Sequence, residues 1–155
     1  MAAKQRSPTG SERDLHGEAA RRLGAIDARY TTKRRLLVEV FESADRPLTL
    51  PEVMAAEPSL AQSSVYRNLA ALELAGVVRR IATNDDFNRF ELSEAVSGHH
   101  HHHLICSACG SIEDFELPSQ VEVAVARELE DVATRRSFAT AAHQMDLIGR
   151  CADCQ

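Results

Sequence analysis

Tryptophan is absent from this chain, and aromatic residues make up only 5% of its 155 positions, so small aliphatic side chains must supply most of the packing. No apolar run approaches the roughly 20 residues that a bilayer-spanning helix needs, which argues against a membrane partner. The first residues, MAAKQRSPTGSERD, have no apolar core of a secretory signal and read as a disordered tail. A cytoplasmic location follows as the expectation, and in a reducing compartment thiols bind metal in preference to forming disulfides. The chain also lacks an HExxH helix, a glycine-rich phosphate loop and a G-x-S-x-G elbow. With no such apparatus, and with an N-terminal half that a hydrolase would not need, we expect no enzyme.

Cysteine is scarce but fully organised. All four cysteines fall in two CxxC pairs, Cys106 with Cys109 and Cys151 with Cys154. Two pairs complete a tetrahedral sulfur shell with no open position, the pattern of a structural zinc site. Gly110 follows the first pair, where a tight turn calls for positive φ. Five consecutive histidines, His99 to His103, lead into that pair. On a strand they alternate, so His99, His101 and His103 face one way while His100 and His102 face the other. One segment can thereby serve two metal sites. Glu91, Glu113, Asp114, Glu122 and His143 are the available remote partners.

The net charge of −5 hides an asymmetry. Residues 1–82 hold 13 Lys and Arg against 10 Asp and Glu, whereas residues 83–155 hold 5 against 13. The halves read as different working parts, a basic one and an acidic one rich in His and Cys. In the first, helices are expected over Asp14–Arg29, from Thr31 or Thr32 through Phe41, from Thr49 (with Glu52 at capping-box spacing) to Glu57, and over Ala61–Ala75 before Gly76. Val65, Leu69 and Leu72 form the buried stripe of the last helix, leaving Ser63, Ser64, Tyr66, Arg67 and Ala70 off it. Strands over Val77–Ile81 and Phe87–Leu92, joined at Asn84-Asp85-Asp86, complete a winged helix-turn-helix. The second half reads as strands around the first knuckle, a helix over Ser119–Arg135 with Val121, Val125, Leu129 and Val132 inward, and a last strand over Phe138–Arg150. The expected class is α+β: a tail over 1–13, a winged-helix domain over 14–92, a hinge over 93–98 and a small α/β metal-binding domain over 99–155.

The stretches SSVYRNLAALELAGVVRR, FNRFEL, HHHHHLICSACGSIEDF and AAHQMDLIGRCADC, in that order over about residues 30–154, resemble the ferric uptake regulator superfamily. The resemblance implies a homodimeric, metal-dependent DNA-binding regulator, repressing when metal-bound and reading a pseudo-palindromic operator in double-stranded DNA. By position it implies structural Zn(2+) at Cys106, Cys109, Cys151 and Cys154. It implies a site within the dimerisation domain at His100, His102, Glu122 and His143, and a sensing site at the hinge from Glu91, His101 and His103. Tyr66 and Arg67 match the DNA-contacting positions of the recognition helix, and Ser64 beside them joins that candidate surface.

Two departures bear on the sensing site. Pro47 stands where many members supply a histidine, and LSEAVSG holds no cysteine before the histidine run. Asp114 is the first choice for the fourth ligand, with Glu113 or His16 behind it. A nitrogen and oxygen shell suits Fe(2+), Mn(2+) or Zn(2+). The runner-up reading is a metal storage or delivery protein that loads through the histidine run.

Overall fold

The computed structural model describes residues 14–44, 46–83 and 88–155. The expected turn at 84–86 lies outside them, as does the tail over 1–13. Helix α1 (Leu15–Gly24) starts at Asp14, whose carboxylate accepts the Gly17 N–H at 2.8 Å, and it buries Ala19 and Leu23. It stops five residues short of the expected Arg29, and Asp27 follows at a φ of 56°. Helix α2 (Thr32–Ser43) buries Leu37, Val38, Val40 and Phe41. A two-residue strand, β1 (Leu48–Thr49), feeds α3 (Leu50–Ala56), where the Glu52 carboxylate reaches back to the Thr49 N–H and hydroxyl, both at 2.7 Å. Helix α4 (Gln62–Leu74) ends before Gly76, whose φ of 65° suits only glycine without strain.

Strands β2 (Val78–Ile81) and β3 (Arg89–Leu92) pair antiparallel, and β1 adds to the far side of β3. Four helices and this three-stranded sheet enclose one continuous apolar core. Leu23, Leu37, Val38, Val53, Val65, Leu72 and Val77 are fully buried within it. Each such side chain contributes roughly 1.5–3 kcal/mol. Ser64 corrects an expectation here. It is buried, 4% exposed, and its hydroxyl and carbonyl both take hydrogen bonds from the Asn68 amide (3.2 and 2.8 Å). Asn68 in turn accepts from Arg34 Nε at 3.2 Å, so the Ser64 and Asn68 row of α4 faces α2 and not solvent.

The segment expected as a hinge carries a single helical turn, α5 (Glu94–Ser97), closed by Gly98 at a φ of 72°. Ser93 anchors its start, its hydroxyl donating to the Gly76 carbonyl at 2.6 Å. Beyond it, β4 (His102–Cys106) is central in a second sheet, antiparallel to β5 (Ile112–Phe115) and parallel to β6 (Asp146–Gly149). Helix α6 (Ser119–Arg135) has the expected bounds but not the expected burial. Only Ala133 is buried on it, while Val121, Leu129 and Val132 are 40–47% exposed. The stripe exists, and among the described residues nothing buries it. The apolar core of this half is small: Ile105 and Ile112 pack against Ile81 of β2.

Candidate metal centres

Among the described residues three clusters of ligand-type side chains converge, two within the second half and one between the halves, and in each one donor atom per residue lies within 4.8 Å of the others. The first is Cys106, Cys109, Cys151 and Cys154. Cys106 ends β4, and the turn after it closes by Gly110 N–H donating to the Cys106 carbonyl at 2.9 Å, with Gly110 at a φ of 70°. The parallel pairing of β4 with β6 brings in the second knuckle, and Ser107 N–H to Gly149 O (2.7 Å) locks the two turns together. Cys109 and Cys151 sulfurs are 3.8 Å apart, too far for a disulfide, and all four thiols are free. Two thiolates each about 2.3 Å from a tetrahedral zinc lie about that far apart.

The electrostatics fit the same ion. Backbone N–H groups of Cys151, Cys109 and Ala108 hold the Cys106 thiol down at about 5. The Ser111 hydroxyl lowers Cys109. The neighbouring sulfurs of Cys151 and Cys109 push Cys154 up to about 12. The backbone thus prepares the first thiolate, and the last ionises near neutral pH only against a cation.

The second cluster is His100, His102, Glu122 and His143, on the face of the second sheet that α6 approaches. His100 Nε2 and His143 Nε2 each lie 2.9 Å from Glu122 Oε1, yet all three atoms are buried without a properly directed hydrogen bond. Buried polar atoms left in that state are costly, and a shared cation satisfies them together. His102 Nε2 lies 3.0 Å from the other Glu122 oxygen, and that hydrogen bond chiefly lowers the Glu122 pKa. His100 Nδ1 is held 2.8 Å from Glu94 of α5, which leaves Nε2 for the cluster.

The third cluster joins the halves. Glu91, on β3, meets His101, His103 and Asp114. His101 Nε2 lies 3.2 Å from Glu91 Oε2 and 4.0 Å from Asp114, while His103 Nε2 lies 3.4 Å from Glu91 Oε1 and 3.8 Å from Asp114. Burial alone would raise the Glu91 pKa, but hydrogen bonds from His101 and His103 and the charge of Arg79 outweigh it and hold the carboxyl at about 2. Burial pushes Asp114 up. The Glu91 hydrogen bond raises His101. Burial works to lower His103, but bonds to Glu91 and Asp146 more than reverse it. Glu113 and His16, the reserve candidates, are elsewhere: Glu113 pairs with Leu104 in the ladder, and His16 bonds to the Tyr30 hydroxyl at 2.7 Å. Pro47 is likewise outside the cluster.

The even and odd histidines therefore divide between two clusters as alternation requires, although only His102 and His103 are inside the strand. Three participants escaped sequence reasoning. Asp146 holds His103 Nδ1 at 3.0 Å, presenting Nε2 to the cluster, and it arrives through a parallel pairing that no sequence pattern announces. Glu94 does the same for His100. Arg79 pairs with Glu91 directly across the β2–β3 ladder and reaches both histidines, with Nη2 3.4 Å from each Nε2. The alternation of the two strands expected on either side of residues 84–86 carried the only signal for it.

Away from these clusters, Tyr66 (55% exposed) and Arg67 project from α4. A shallow surface groove runs from Arg67 to Thr31, Thr32 and Lys33 at the start of α2.

The model of the Ferric uptake regulator family matches residues 25–148. The peroxide-responsive repressor PerR of Staphylococcus saprophyticus is 30% identical over 132 residues, 82% of each chain. Among solved structures, the ferric uptake regulator from Pseudomonas aeruginosa with manganese superposes with a TM-score of 0.68 at 23% identity, covering 88% of this chain and 98% of the other. The Helicobacter pylori ferric uptake regulator, whose structure reveals three functional metal binding sites, gives 0.65 at 22% identity, covering 90% and 93%.

Proposed function

On the premise that the chain belongs to the ferric uptake regulator family, we propose that it is a metal-responsive, DNA-binding transcriptional repressor working as a homodimer. One observation carries the reading: the Glu91, His101, His103 and Asp114 cluster draws ligands from the wing hairpin and from the second half at once. When bound, a divalent cation such as Fe(2+), Mn(2+) or Zn(2+) supplies a cross-link between those two parts. Glu91 then fixes the wing relative to the second sheet, and Asp146 keeps His103 in the tautomer that faces the cluster. In a dimer this sets the separation of two α4 helices, which must reach major grooves about 34–36 Å apart or a multiple of that. A coupling of about 1–3 kcal/mol changes DNA affinity by about 5–150-fold.

Arg67 is suited to guanine or phosphate and Tyr66 to a thymine methyl, with Lys33 placed for the backbone. The four cysteines hold structural zinc, and His100, His102, Glu122 and His143 hold a further ion within the second half. The uncovered stripe on α6, with exposed Leu147 and Ile148 on β6, is the surface a second copy buries. Among the described residues no helix is long and apolar enough to cross a membrane. Storage through a loose histidine run is disfavoured, because four of the five histidines are committed to the two clusters and only His99 is left over.

The test is a fluorescence-anisotropy titration of the protein against its own promoter, with zinc retained in the cysteine site, under Fe(II), Mn(II), Zn(II) or chelator at fixed salt. One metal should tighten binding 5–150-fold, and His101→Ala/His103→Ala should abolish that response. If the double variant responds like wild type, the cluster is not the switch. Loss of binding on adding hydrogen peroxide to the Fe(II) complex, but not to the Mn(II) complex, would extend to this chain the response that names its S. saprophyticus relative.

A further inference from the structure

Resting on the reading that the hinge cluster holds the sensed cation, we propose that Arg79 sets the affinity of that cluster, its guanidinium competing with the cation for the same lone pairs. Arg79 is the direct cross-strand partner of Glu91, and its Nε bonds to Glu91 Oε1. Its Nη2 lies 3.4 Å from His101 Nε2 and 3.4 Å from His103 Nε2. In the neutral tautomer that coordination needs, with the Nε2 lone pairs free, three of the four candidate ligands therefore each turn one metal-facing atom to the same guanidinium. An imidazole nitrogen has one lone pair, so it cannot accept an N–H and coordinate a cation together. The guanidinium does not lose its charge at any ordinary pH, so it cannot be titrated out of the way. A dication brought among these ligands must either displace the fork or sit beside a like charge in a half-buried site, and both outcomes weaken binding.

The arrangement is specific to this corner of the molecule. Arg80, the next residue along β2, turns outward to Glu73 at 2.7 Å and lies over the Phe90 ring. At the cysteine cluster the arginine contact is instead to the backbone, with Arg150 Nη1 donating to the Cys154 carbonyl at 3.3 Å. Arg79 also stands on the wing side, so the wing and the second half are already joined through Arg79, Glu91 and the two histidines. The cation thus exchanges one link for another, and the concentration at which it does so depends on how firmly Arg79 is held.

The experiment is a Co(II) titration of the full-length dimer against a competing chelator, read by d–d absorption. Zinc is kept in the cysteine site, and a His143→Ala background silences the even cluster. Arg79→Gln should bind Co(II) about 10- to 100-fold more tightly than the parent, the scale on which groups around metal ligands act. Arg79→Lys, which keeps the charge and loses the planar fork, should fall between them. Equal or weaker binding by Arg79→Gln overturns the proposal, because Arg79 would then be supporting Glu91 through one oxygen while the other coordinates. A parallel arm with His101→Ala/His103→Ala tests the underlying reading. If that variant binds Co(II) as the parent does, the ion is not in this cluster, and both the reading and the proposal fall. Zinc content and far-UV circular dichroism of every variant establish that the fold is retained.

Discussion

The two halves of this chain are held together by different physics. The first supplies sixteen buried apolar residues, from four helices, a sheet and their connections, to one continuous cluster that Val96 of α5 completes. The second contributes only Ile105 and Ile112 to a three-residue cluster, and the third member, Ile81, belongs to the first half. In place of an apolar core the second half buries His102 and His103, sets Glu122, Asp114 and Asp146 against them, and gathers four thiols in a separate cluster. A few isoleucines cannot offset the conformational entropy of about fifty residues. The first half is therefore a self-sufficient scaffold. On the proposed reading the second is completed by ions and by a second copy of itself, which makes it responsive to both.

Removing the zinc is the strongest way to break this contrast. Structural zinc contributes about 10–16 kcal/mol in small domains, far more than the second half can supply by burial. Cys151→Ser/Cys154→Ser, or exhaustive chelation, should cost residues 99–155 their hydrogen-exchange protection while residues 14–92 keep theirs. Retained protection in β4, β5 and β6 would show that the second half is self-sufficient after all.

Next in size is the exposed stripe. Leu129→Glu on α6 should shift the dimer to monomer, raising the dissociation constant by more than about 100-fold, since an uncompensated buried charge costs about 3–5 kcal/mol. Leu74→Glu in the first half is the control. Leu74 is 75% exposed, more than Leu129 at 41%, yet its substitution should leave the mass by light scattering unchanged. If both variants dissociate, or neither does, exposure of α6 says nothing about the partner.

How well the sequence can be read follows the same division. Helix boundaries in the first half are encoded locally, starts by Asp14 and by Thr49 with Glu52 and an end by Gly76, and the apolar stripes of α2 and α4 name most of the core they bury. Ser64 was misread because helical spacing gives a stripe its direction and not its width. The row one residue before Val65 and Leu69 also turns inward, where Asn68 bonds both to Ser64 and to Arg34. In the second half the ligand types and the alternation of the histidines were legible, because strand geometry has period two. The α6 stripe was legible as a pattern but not in its destination, since periodicity reports that a face is apolar and not which chain covers it. Asp146 was invisible, because parallel pairing of β6 with β4 across forty intervening residues leaves no local trace.

The contrast sharpens further if reading DNA belongs to the first half and sensing to the second. Arg67→Ala should cost about 1–3 kcal/mol of DNA affinity with or without the sensed metal, so the ratio between the two conditions is unchanged. Lys33→Ala should weaken all sequences about equally and reduce the salt slope by about one. A substitution on α4 that changes the metal-dependence ratio itself would mean that the two halves do not separate in this way.

The smallest effect tests the junction. His101 is raised chiefly by the hydrogen bond it donates to Glu91, and His103 by those to Glu91 and Asp146 against burial, so both hold protons above the ordinary histidine range. Coordination requires the neutral imidazole, and each proton displaced costs up to tenfold in affinity for every pH unit below the shifted value. Lowering the pH toward the ordinary histidine value should therefore begin to weaken cation binding at the hinge at a higher pH than an unshifted histidine near 6.5 would. Glu91→Gln removes the main cause of both shifts and should flatten the profile over the same pH interval, besides weakening binding at every pH. A variant that keeps the full slope would place the titrating groups away from Glu91, and with them the proton-linked part of the junction.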